Sequence, residues 1–374
     1  MFEMETYKIF GDREHSLIEM TLGDLLDKVA EVYPDNDCVV CNDKPFRKTY
    51  KEFKEECDTT AKGLMALGVE KGSHVAIWAT NYPEWIVLMF ASAKIGATLV
   101  TVNTNYKVFE AEYLLKQSDT DTLVMMDGLK DTNYSEIINE LCPELKDSKP
   151  GRMDCENLPY LKRVIYLDAK ENMPRGMLHW SELRELAASV SDEALRARQA
   201  SVNCHDVVNM QYTSGTTGFP KGVMLTHYNI LNNGKCIGDN QVLTYRDRVC
   251  LPVPFFHCFG CVLGIMACIT HGSTIVPVER YHPVRVMHTI QAERCTATYG
   301  VPTMYIAMLE HPDFSKYDFS SLRTGIMSGS PCPVKVMEQV VNLMHMTEIT
   351  IPYGLTETSP VCTMTNVSDS IEKR

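Results

Sequence analysis

Short apolar runs alternate with helical patterns along most of the chain, and this alternation constrains the fold more than any other feature. The runs are apolar on both faces, as are the strands of a parallel sheet that helices cover. The first series lies at 74–79, 98–103, 122–127 and 163–168. Helices begin between them near Pro83, Phe109 and Tyr134. This order of strand and helix predicts an α/β fold.

A second series of strand-like runs follows, with helical patterns such as residues 333–344 between them. These runs lie at 207–214, 248–256, 273–278, 296–302, 322–330 and 348–354. Two series predict two doubly wound sheets packed together, in subdomains of residues 70–243 and of residues 20–68 with 244–365. In such sheets, ligands bind beyond the carboxyl ends of the strands.

An early helix carries signals at both of its ends. Thr49 and Glu52 form a capping box at its start, and Gly68 follows its last turn. One apolar stripe runs along it through Phe53, Cys57, Ala61, Leu64 and Met65. The pattern predicts an amphipathic helix that ends before Gly68.

The stretch 142–159 interrupts the alternation. It is polar and contains several prolines, which neither a helix interior nor a central strand accepts. We expect a flexible loop on the surface there.

The overall charge limits the partners. The chain has 374 residues and a formal net charge of −12. This acidic balance disfavours nucleic acid and anionic membranes as partners. Any anion that the protein binds must therefore be held by local geometry.

The sequence shows neither a secretory signal nor a membrane span. Residues 1–15 have neither the basic start nor the apolar core of a secretory signal. The longest apolar runs, 85–93 and 258–270, are shorter than the roughly 20 residues that a membrane span needs. Without an export signal, the 14 cysteines indicate reduced thiols rather than a disulfide framework. We expect a cytoplasmic protein with no integral membrane segment.

Two C-x-x-C pairs, Cys38/Cys41 and Cys258/Cys261, have the spacing of zinc ligands, and His257 adjoins the second pair. The first pair lies in CVVC, which is typical of a strand, and strand positions three apart face opposite sides. We therefore interpret these cysteines as packing residues rather than as metal ligands.

The stretch YTSGTTGFPKG at 212–222 has the composition of an anion-binding loop. Its glycines let backbone N–H groups turn toward a phosphate, and its hydroxyls add donors. Lys221 supplies a mobile positive charge, but it follows Pro220, so the stretch departs from the common nucleoside triphosphatase loop. The alternative is an ordinary connector between a strand and a helix that starts near Thr226.

The stretch YGLTETSP at 353–360 offers a second set of nucleotide-binding groups directly after a strand-like run. Tyr353 can stack on a base, and Thr356 can donate to a phosphate oxygen. Glu357 can hold Mg²⁺ together with phosphate oxygens. Considered without the other stretch, Glu357 would be interpreted as a solvent-exposed acidic residue of a loop. The conjunction of the two stretches indicates a nucleotide site.

YTSGTTGFPKGVMLTHYN and YGLTETSP resemble the two most diagnostic signatures of the adenylate-forming enzymes. That superfamily comprises acyl-CoA synthetases, luciferases and the adenylation domains of peptide synthetases. LPVPFFHCFG at 251–260 is similar to a third family motif, and the three motifs have the family's order. The motifs resemble those of fatty acyl-CoA synthetases more than those of amino-acid-activating domains. The resemblance runs from about Met20 to the end of the chain.

The resemblance implies the layered N-terminal domain of the adenylate-forming fold and a reaction in two steps. A carboxylate attacks the α-phosphate of ATP, pyrophosphate leaves and an acyl-adenylate forms; a thiol, usually coenzyme A, then takes the acyl group. ATP, Mg²⁺, coenzyme A and a small carboxylic acid are the implied cofactors and substrates. Both reactants of the first step are anions, so oriented donors, a lysine and a metal ion are needed against their repulsion.

The resemblance also assigns roles to residues. The implied catalytic residues are Lys221, His257, Thr356 and Glu357, and Thr213 with Glu357 would hold the metal. The implied nucleotide-binding residues are Thr213, Ser214, Gly215, Thr216, Thr217, Gly218, Lys221, Gly329, Ser330, Pro331, Tyr353, Gly354 and Thr356. The implied acyl pocket comprises His257, Gly260, Cys261, Tyr299, Gly300, Met304, Gly325 and Ser328, which equally suit an ordinary core.

Family members continue past the position of Arg374 through a hinge and a small mobile C-terminal domain that carries a catalytic lysine. We therefore expect a truncated N-terminal domain, with the C-terminal domain as a separate partner and with low turnover in isolation. A shortened but complete protein is the alternative. The rival functions are a catalytically inactive module that binds acyl groups and nucleotides, and an enzyme that adenylates aryl or amino acids. We identify no acidic partner for a substrate ammonium group.

Overall fold

The computed structural model of the chain describes Ile9, residues 16–213 and residues 218–374. The prediction about a secretory signal concerns residues 1–15, which apart from Ile9 lie outside the described residues. The predictions for Ser214, Gly215, Thr216 and Thr217 also lie outside them. The described chain contains two seven-stranded sheets with intervening helices, which confirms the α/β fold class.

The first of two compact units comprises the described residues up to Glu19, Leu25–Lys54 and Tyr228–Arg374. In its sheet all neighbouring strands are parallel except one antiparallel pair at an edge. Across the sheet the strands are Glu348–Thr350, Thr324–Met327, Ala297–Gly300, Arg248–Leu251, Thr274–Pro277, Asp37–Cys41 and Phe46–Thr49. The carboxyl ends of the parallel strands therefore lie at one edge of the sheet.

The helices of the first unit cover its sheet and bury an apolar core. Side chains of the helices Pro283–Ala292 and Val334–Met344 pack with the strands into one buried cluster. The unit also contains Pro302–Leu309, Ala267–His271, the π-helix Phe259–Met266 and the 3-10 helices Phe314–Lys316 and Thr356–Thr358. A two-stranded antiparallel hairpin, Pro352–Gly354 with Val361–Met364, stands apart from the main sheet. We call it the short hairpin.

The second unit comprises Met20–Asp24 and Glu55–His227. Its sheet is also parallel except for one edge pair, in which Lys221–Thr226 runs antiparallel to Val207–Thr213. Across the sheet the strands are Lys221–Thr226, Val207–Thr213, Thr98–Thr101, His74–Trp78, Thr122–Met125, Arg163–Tyr166 and Leu178–His179. We call the edge pair the edge hairpin.

Helices of the second unit connect its parallel strands. The helix Pro83–Lys94 is buried at nearly every residue, which fits its lack of a polar face. The others are Val108–Gln117, Tyr134–Leu141, Glu182–Ala187 and Asp192–Ala200. A small hairpin joins Gly128–Leu129 to Thr132–Asn133. The helices predicted near Pro83, Phe109 and Tyr134 thus begin where expected or one residue earlier.

Three helices, Leu22–Val32, Tyr50–Ala66 and His227–Asn240, cross the division between the units. The division lies at 54/55 and 227/228, whereas the predicted subdomains are 70–243 and 20–68 with 244–365. The subdomain bounds stay a prediction.

The helix Tyr50–Ala66 begins with the predicted capping box. The Thr49 N–H donates to Glu52 Oε2 at 2.9 Å, and the Glu52 N–H donates to Thr49 Oγ1 at 3.3 Å. The stripe through Phe53, Cys57, Ala61 and Leu64 is fully buried. Gly68 follows the helix at φ 86°, a conformation that favours glycine.

One strand is missing from the predictions, and one local prediction is wrong. The strand Lys221–Thr226 of the edge hairpin has no counterpart among the predicted strands, although the helix expected near Thr226 begins at His227. The stretch 142–159, predicted as a flexible surface loop, contains the short helix Pro143–Asp147 and is anchored by five buried side chains. These are Cys142, Leu145, Met153, Cys155 and Leu158.

All 14 cysteines are free thiols. Cys38 and Cys41 lie in the strand Asp37–Cys41, as predicted, and both are buried, as are Cys258 and Cys261. The described residues contain no group of three or more His, Cys, Asp and Glu side chains arranged to hold a metal ion. Across the same residues, no helix has the length and apolarity needed to cross a bilayer.

Candidate active site

The carboxyl edge of the first unit's sheet gathers two of the motifs named above and a third stretch, MSGSPCP at 327–333, which contains Gly329, Ser330 and Pro331. Each motif begins within a few residues of the end of a parallel strand: LPVPFFHCFG after Arg248–Leu251, MSGSPCP after Thr324–Met327 and YGLTETSP after Glu348–Thr350. Since these strands run parallel, the three loops share one edge of the sheet. Ser328 Oγ donates to Pro352 O at 3.0 Å and joins the second motif to the third.

The short hairpin presents the third motif. Tyr353 pairs with Thr363 across the hairpin, and its side chain is 70% exposed, so its ring is open to a stacking partner. A Cβ on Gly354 would lie 1.9 Å from Pro360 O, so only glycine fits there. The backbone therefore folds tightly just before Thr356 and Glu357.

Thr358 closes the turn between the two strands. Its hydroxyl lies 2.8 Å from Leu355 O and 2.6 Å from Pro360 O, and the Leu355 N–H donates to Pro360 O at 3.0 Å. Thr356 is half-buried and Glu357 is exposed at the surface of this turn. Of the polar side chains of the turn, Glu357 therefore stands at the surface, whereas the Thr358 hydroxyl bonds the backbone.

His257 lies in the loop after the strand Arg248–Leu251. The Phe259 N–H donates to His257 Nδ1 at 3.1 Å, which assigns the proton of the neutral ring to Nε2. The ring reaches the surface, but the protein around it removes enough water to lower the pKa of His257. The histidine is therefore held neutral, with Nε2–H available as a donor.

Cys258 connects the His257 loop to the third motif. Its side chain is buried, and burial raises its pKa to about 12 against the opposing effect of a hydrogen bond with Thr356. The neighbouring Glu357 charge raises the pKa further. The thiol is therefore protonated and serves as a packing contact beneath Thr356 and Glu357.

The residues assigned to an acyl pocket surround the same edge. Gly260, Cys261, Tyr299, Gly300 and Gly325 are buried, whereas Met304 and Ser328 are partly exposed. The Tyr299 ring stacks near Phe259 with centroids 6.3 Å apart, and its hydroxyl donates to Gln241 Oε1 at 2.8 Å.

Two glycines in that set have packing reasons of their own. A Cβ on Gly260 would lie 2.3 Å from Pro254 O, and one on Gly325 would lie 2.1 Å from Thr298 O. Close backbone approach thus explains both glycines without a ligand. The acyl pocket stays a prediction.

The edge hairpin of the second unit carries the remaining motif. Thr213 ends one strand at the carboxyl edge of the sheet and pairs with Lys221, the first residue of the other. Of the residues between these two strands, the structure describes Gly218, at φ 92°, Phe219 and Pro220. Lys221 is exposed at this turn. The stretch is thus the turn of an antiparallel hairpin rather than a connector from strand to helix.

An aromatic contact anchors the turn of the edge hairpin. Phe219 lies next to Tyr113 and Phe109 of the helix Val108–Gln117, with ring centroids 5.3 and 6.4 Å apart. Phe219 and Phe109 stay 51% and 64% exposed. The contact is therefore shallow, at the surface of the unit.

Two charged side chains of the predicted site are unpaired. Among the described residues, neither Lys221 nor Glu357 forms a salt bridge. Mg²⁺ in phosphate-binding sites is commonly held by one or two carboxylates with substrate phosphates, so a free carboxylate suits it. Glu357 therefore offers a carboxylate that suits the implied metal, and its role together with Thr213 stays a prediction.

An open cavity of about 510 Å³ lies elsewhere in the second unit. Its lining includes His74, Thr98 and Val207, each the first residue of a parallel strand. The cavity is therefore at the amino end of this sheet, whereas Thr213 of the edge hairpin lies at the carboxyl end, and none of the predicted site residues lines the cavity.

Sequence reasoning missed the groups that hold the short hairpin. Asn233 and Asn240 of the helix His227–Asn240 hydrogen-bond to Val361 and Thr365, more than 120 residues away. No local pattern marks such contacts, because their partners are mostly backbone groups of a distant segment.

Comparison with known proteins identifies the family. The sequence model described as AMP-binding enzyme matches residues 26–374. The chain is 54% identical over 358 residues to the candidate acyl-CoA synthetase YngI of Bacillus subtilis, covering 96% of this chain and 65% of YngI. It is 37% identical to the mitochondrial medium-chain acyl-CoA ligase ACSF2 of Danio rerio, covering 99% of this chain and 61% of ACSF2. The chain thus spans less than two thirds of the length of these relatives.

Solved structures share the fold. The anthranilate CoA ligase AuaEII in complex with anthranoyl-AMP superposes with a TM-score of 0.78 at 22% identity, covering 96% of this chain and 63% of that one. The long-chain-fatty-acid-CoA ligase FadD1 of Archaeoglobus fulgidus gives 0.78 at 22% identity, with coverages of 96% and 68%. With two doubly wound sheets, glycine motifs at their carboxyl edges and a family match over most of its length, the chain belongs to the AMP-binding enzyme family.

Proposed function

We propose that the protein activates a carboxylic acid, most specifically a fatty acid, with ATP and transfers the acyl group through an acyl-adenylate to coenzyme A. The observation that carries the proposal is the assembly at the first unit's sheet edge, where Ser328 joins Pro352 and Cys258 contacts Thr356. Support comes from the relatives, which are named as acyl-CoA synthetases and ligases.

In the first unit, we assign the binding of adenine, the α-phosphate and the reacting oxygens to residues of the three motifs. Tyr353 stacks on adenine, with Gly329, Ser330 and Pro331 beside it, and Thr356 donates to the α-phosphate. The His257 Nε2–H, neutral at pH 7, donates to an oxygen of the reacting carboxylate or phosphate. A neutral donor suits this position because the pKa of His257 is lowered by burial.

In the second unit, Thr213, Gly218 and Lys221 bind the β- and γ-phosphates, together with Ser214, Gly215, Thr216 and Thr217. Lys221 is unpaired among the described residues, so its charge is available to a phosphate. When bound by Thr213 and Glu357, Mg²⁺ would neutralise part of the phosphate charge. The residues thereby offset the repulsion between two anionic reactants.

The proposal also covers the cellular compartment and a C-terminal domain. We assign it to the cytoplasm, since 14 free thiols suit a reducing compartment. We propose that a C-terminal domain, on the same chain or separate, completes the enzyme, and that residues 1–374 alone turn over slowly. Acyl-CoA formation by a full-length form would then exceed that of this chain.

Mass spectrometry tests the reaction. The protein is mixed with ATP, Mg²⁺ and a panel of fatty, aryl and amino acids, and acyl-adenylate and acyl-CoA are followed with and without coenzyme A. We expect a fatty acyl-adenylate whose formation falls in the Glu357→Gln variant. Adenylates of aryl or amino acids only would replace the fatty-acid assignment, and nucleotide binding without any adenylate would favour a non-catalytic binding module.

A further inference from the structure

An asparagine of the helix His227–Asn240 binds the short hairpin like a neighbouring strand. Asn233 Nδ2 donates to Val361 O at 3.0 Å, and the Val361 N–H donates to Asn233 Oδ1 at 3.2 Å. One side-chain amide therefore satisfies both backbone groups of a single residue. Val361 begins the second strand of the hairpin.

A second asparagine holds the other end of that strand. Asn240 Nδ2 donates to Thr365 O at 2.9 Å, and Asn366 Nδ2 lies 3.3 Å from Asn240 Oδ1. Positions seven residues apart lie on one helix face about 10 Å apart along the axis. A strand of four residues spans about 13 Å. The spacing of the two asparagines thus matches the length of Val361–Met364.

The clamped strand positions the strand that carries the nucleotide groups. Val361–Met364 pairs with Pro352–Gly354, with Tyr353 opposite Thr363. At its far end the Ile351 N–H donates to Thr365 Oγ1 at 2.8 Å, and the Thr365 N–H donates to Ile351 O at 3.1 Å. Asn240 and Ile351 therefore bind the same residue, Thr365, from two sides.

We propose that Asn233 and Asn240 are positioning residues for the nucleotide: they fix the short hairpin so that Tyr353 and Thr356 are ordered before the nucleotide arrives. The inference rests on the proposed function. A two-stranded hairpin is marginally stable by itself, and Tyr353 and Glu357 stand exposed on this one. Binding to a loop that is already ordered avoids an entropy cost that would otherwise weaken affinity.

The same helix supplies a matched control. The Ile18 N–H donates to Asn232 Oδ1 at 2.7 Å, and Asn232 Nδ2 donates to Ile18 O at 2.9 Å. Asn232 therefore makes the same pair of amide–backbone bonds as its neighbour Asn233, but to a segment that carries no predicted site residue. Its loss should cost stability without disturbing the short hairpin.

Isothermal titration with AMP and with Mg·ATP tests the inference on the wild type and on Asn233→Ala, Asn240→Ala and Asn232→Ala. AMP contains only the adenosine and α-phosphate that the short hairpin would bind. We expect Asn233→Ala to weaken AMP and ATP alike by about threefold to tenfold, the value of one or two hydrogen bonds. Asn240→Ala should act in the same direction, and Asn232→Ala should lower the melting temperature with unchanged affinities.

Hydrogen–deuterium exchange in the short hairpin supplies a measurement that a change in the stability of the helix alone would not alter. In Asn233→Ala the amides of residues 352–361 should exchange faster, whereas in Asn232→Ala they should not. Asn240→Ala, at the last residue of the helix, serves if Asn233→Ala does not fold. Equal affinity and equal exchange in wild type and variant would overturn the inference. A wild type that binds neither nucleotide would instead refute the proposed function, and exchange would still decide whether Asn233 orders the hairpin.

Discussion

The edge hairpin and the short hairpin are built in opposite ways, although each presents a glycine-rich motif beyond the carboxyl end of a parallel strand. The edge hairpin continues a seven-stranded sheet through six paired positions, from Val207↔Thr226 to Thr213↔Lys221. The short hairpin has three paired positions and belongs to no larger sheet. Backbone pairing alone would therefore make the edge hairpin the firmer of the two.

The turns show the reverse order. In the short hairpin, Thr358 hydroxyl bonds, the close approach of Gly354 to Pro360 and the Asn233 amide fix the turn and its base. In the edge hairpin, a Cβ on Gly218 would meet no described atom within 4 Å, and Phe219 makes only a surface contact. Under the proposed function, the turn proposed to bind the base and the α-phosphate is held by several contacts, whereas Gly218, proposed to bind the outer phosphates, is closely approached by no described atom.

Matched glycine substitutions give the largest expected difference between the turns. Gly354→Ala places a Cβ 1.9 Å from Pro360 O, so the backbone must shift. A forced shift costs about 3 kcal/mol, and we expect a loss of AMP affinity of about a hundredfold. Isothermal titration measures it.

Gly218→Ala is the matched control for that substitution. It places a Cβ in open space, with only the strain of a positive φ, which costs about 1 kcal/mol. We expect ATP affinity to fall by about fivefold and AMP affinity to remain. Equal losses in the two variants would contradict the distinction between a fixed and an adjustable turn.

Acid should weaken the base of the edge hairpin. His227 follows its second strand, accepts a hydrogen bond from the Leu22 N–H at 3.1 Å and is fully buried. Burial lowers the pKa of His227 to about 4, from 6.5. Below pH 6.5 the unfolded chain takes up a proton that the folded chain refuses, so stability present above pH 6.5 is lost as the pH falls toward 4. The loss should reach about 2 kcal/mol by pH 5.

Urea unfolding at pH 7 and pH 5 checks that value. Trp78, Trp85 and Trp180 all belong to the second unit, so tryptophan fluorescence follows the unit that contains the edge hairpin. His227→Gln should remove most of the difference in unfolding free energy between pH 7 and pH 5. His205→Gln, at an exposed position, is the control for loss of a histidine. If the unfolding free energy of His227→Gln still falls between pH 7 and pH 5, the acid sensitivity belongs to another group.

The sequence predicts the parallel strands well and the edge hairpin poorly. Strands such as His74–Trp78 and Thr122–Met125 are buried along almost their whole length, so they form continuous apolar runs. Lys221–Thr226 lies at a sheet edge with only Leu225 buried, and its apolar run is limited to residues 223–225, without alternation. Burial produces the pattern, and an exposed edge strand lacks it.

The motifs predict where a site lies but not which residues hold the short hairpin in place. YGLTETSP and MSGSPCP are contiguous, so their place after two adjacent strands follows from the strand predictions. The support of the short hairpin depends on Asn233 and Asn240, which contact it only after the chain folds. The buried residues of 142–159 are missed for a related reason, because their spacing follows no helix or strand period.

Lys221 tests whether the edge hairpin contacts only the outer phosphates. Its exposed ammonium is unpaired among the described residues, so Lys221→Ala leaves no partner charge exposed. A hydrogen bond to a charged group is worth at least about 1.5 kcal/mol, so we expect ATP to bind about tenfold more weakly. AMP affinity should not change. Equal losses for AMP and ATP would give the edge hairpin a share in binding the α-phosphate or adenine.

Phe219 tests how far the edge hairpin is held by the contacts of this ring with Tyr113 and Phe109. Tyr113 and Phe109 belong to a helix of the same unit, and an aromatic pair contributes about 0.5–1.5 kcal/mol. Because Phe219 is half exposed, we take the lower value and expect Phe219→Ala to weaken ATP binding about threefold. Phe219→Leu, which keeps an apolar contact, should recover part of the loss, as measured by titration. If Phe219→Ala binds ATP as tightly as wild type, the turn orders on the phosphates alone, and the contrast with the clamped short hairpin becomes sharper still.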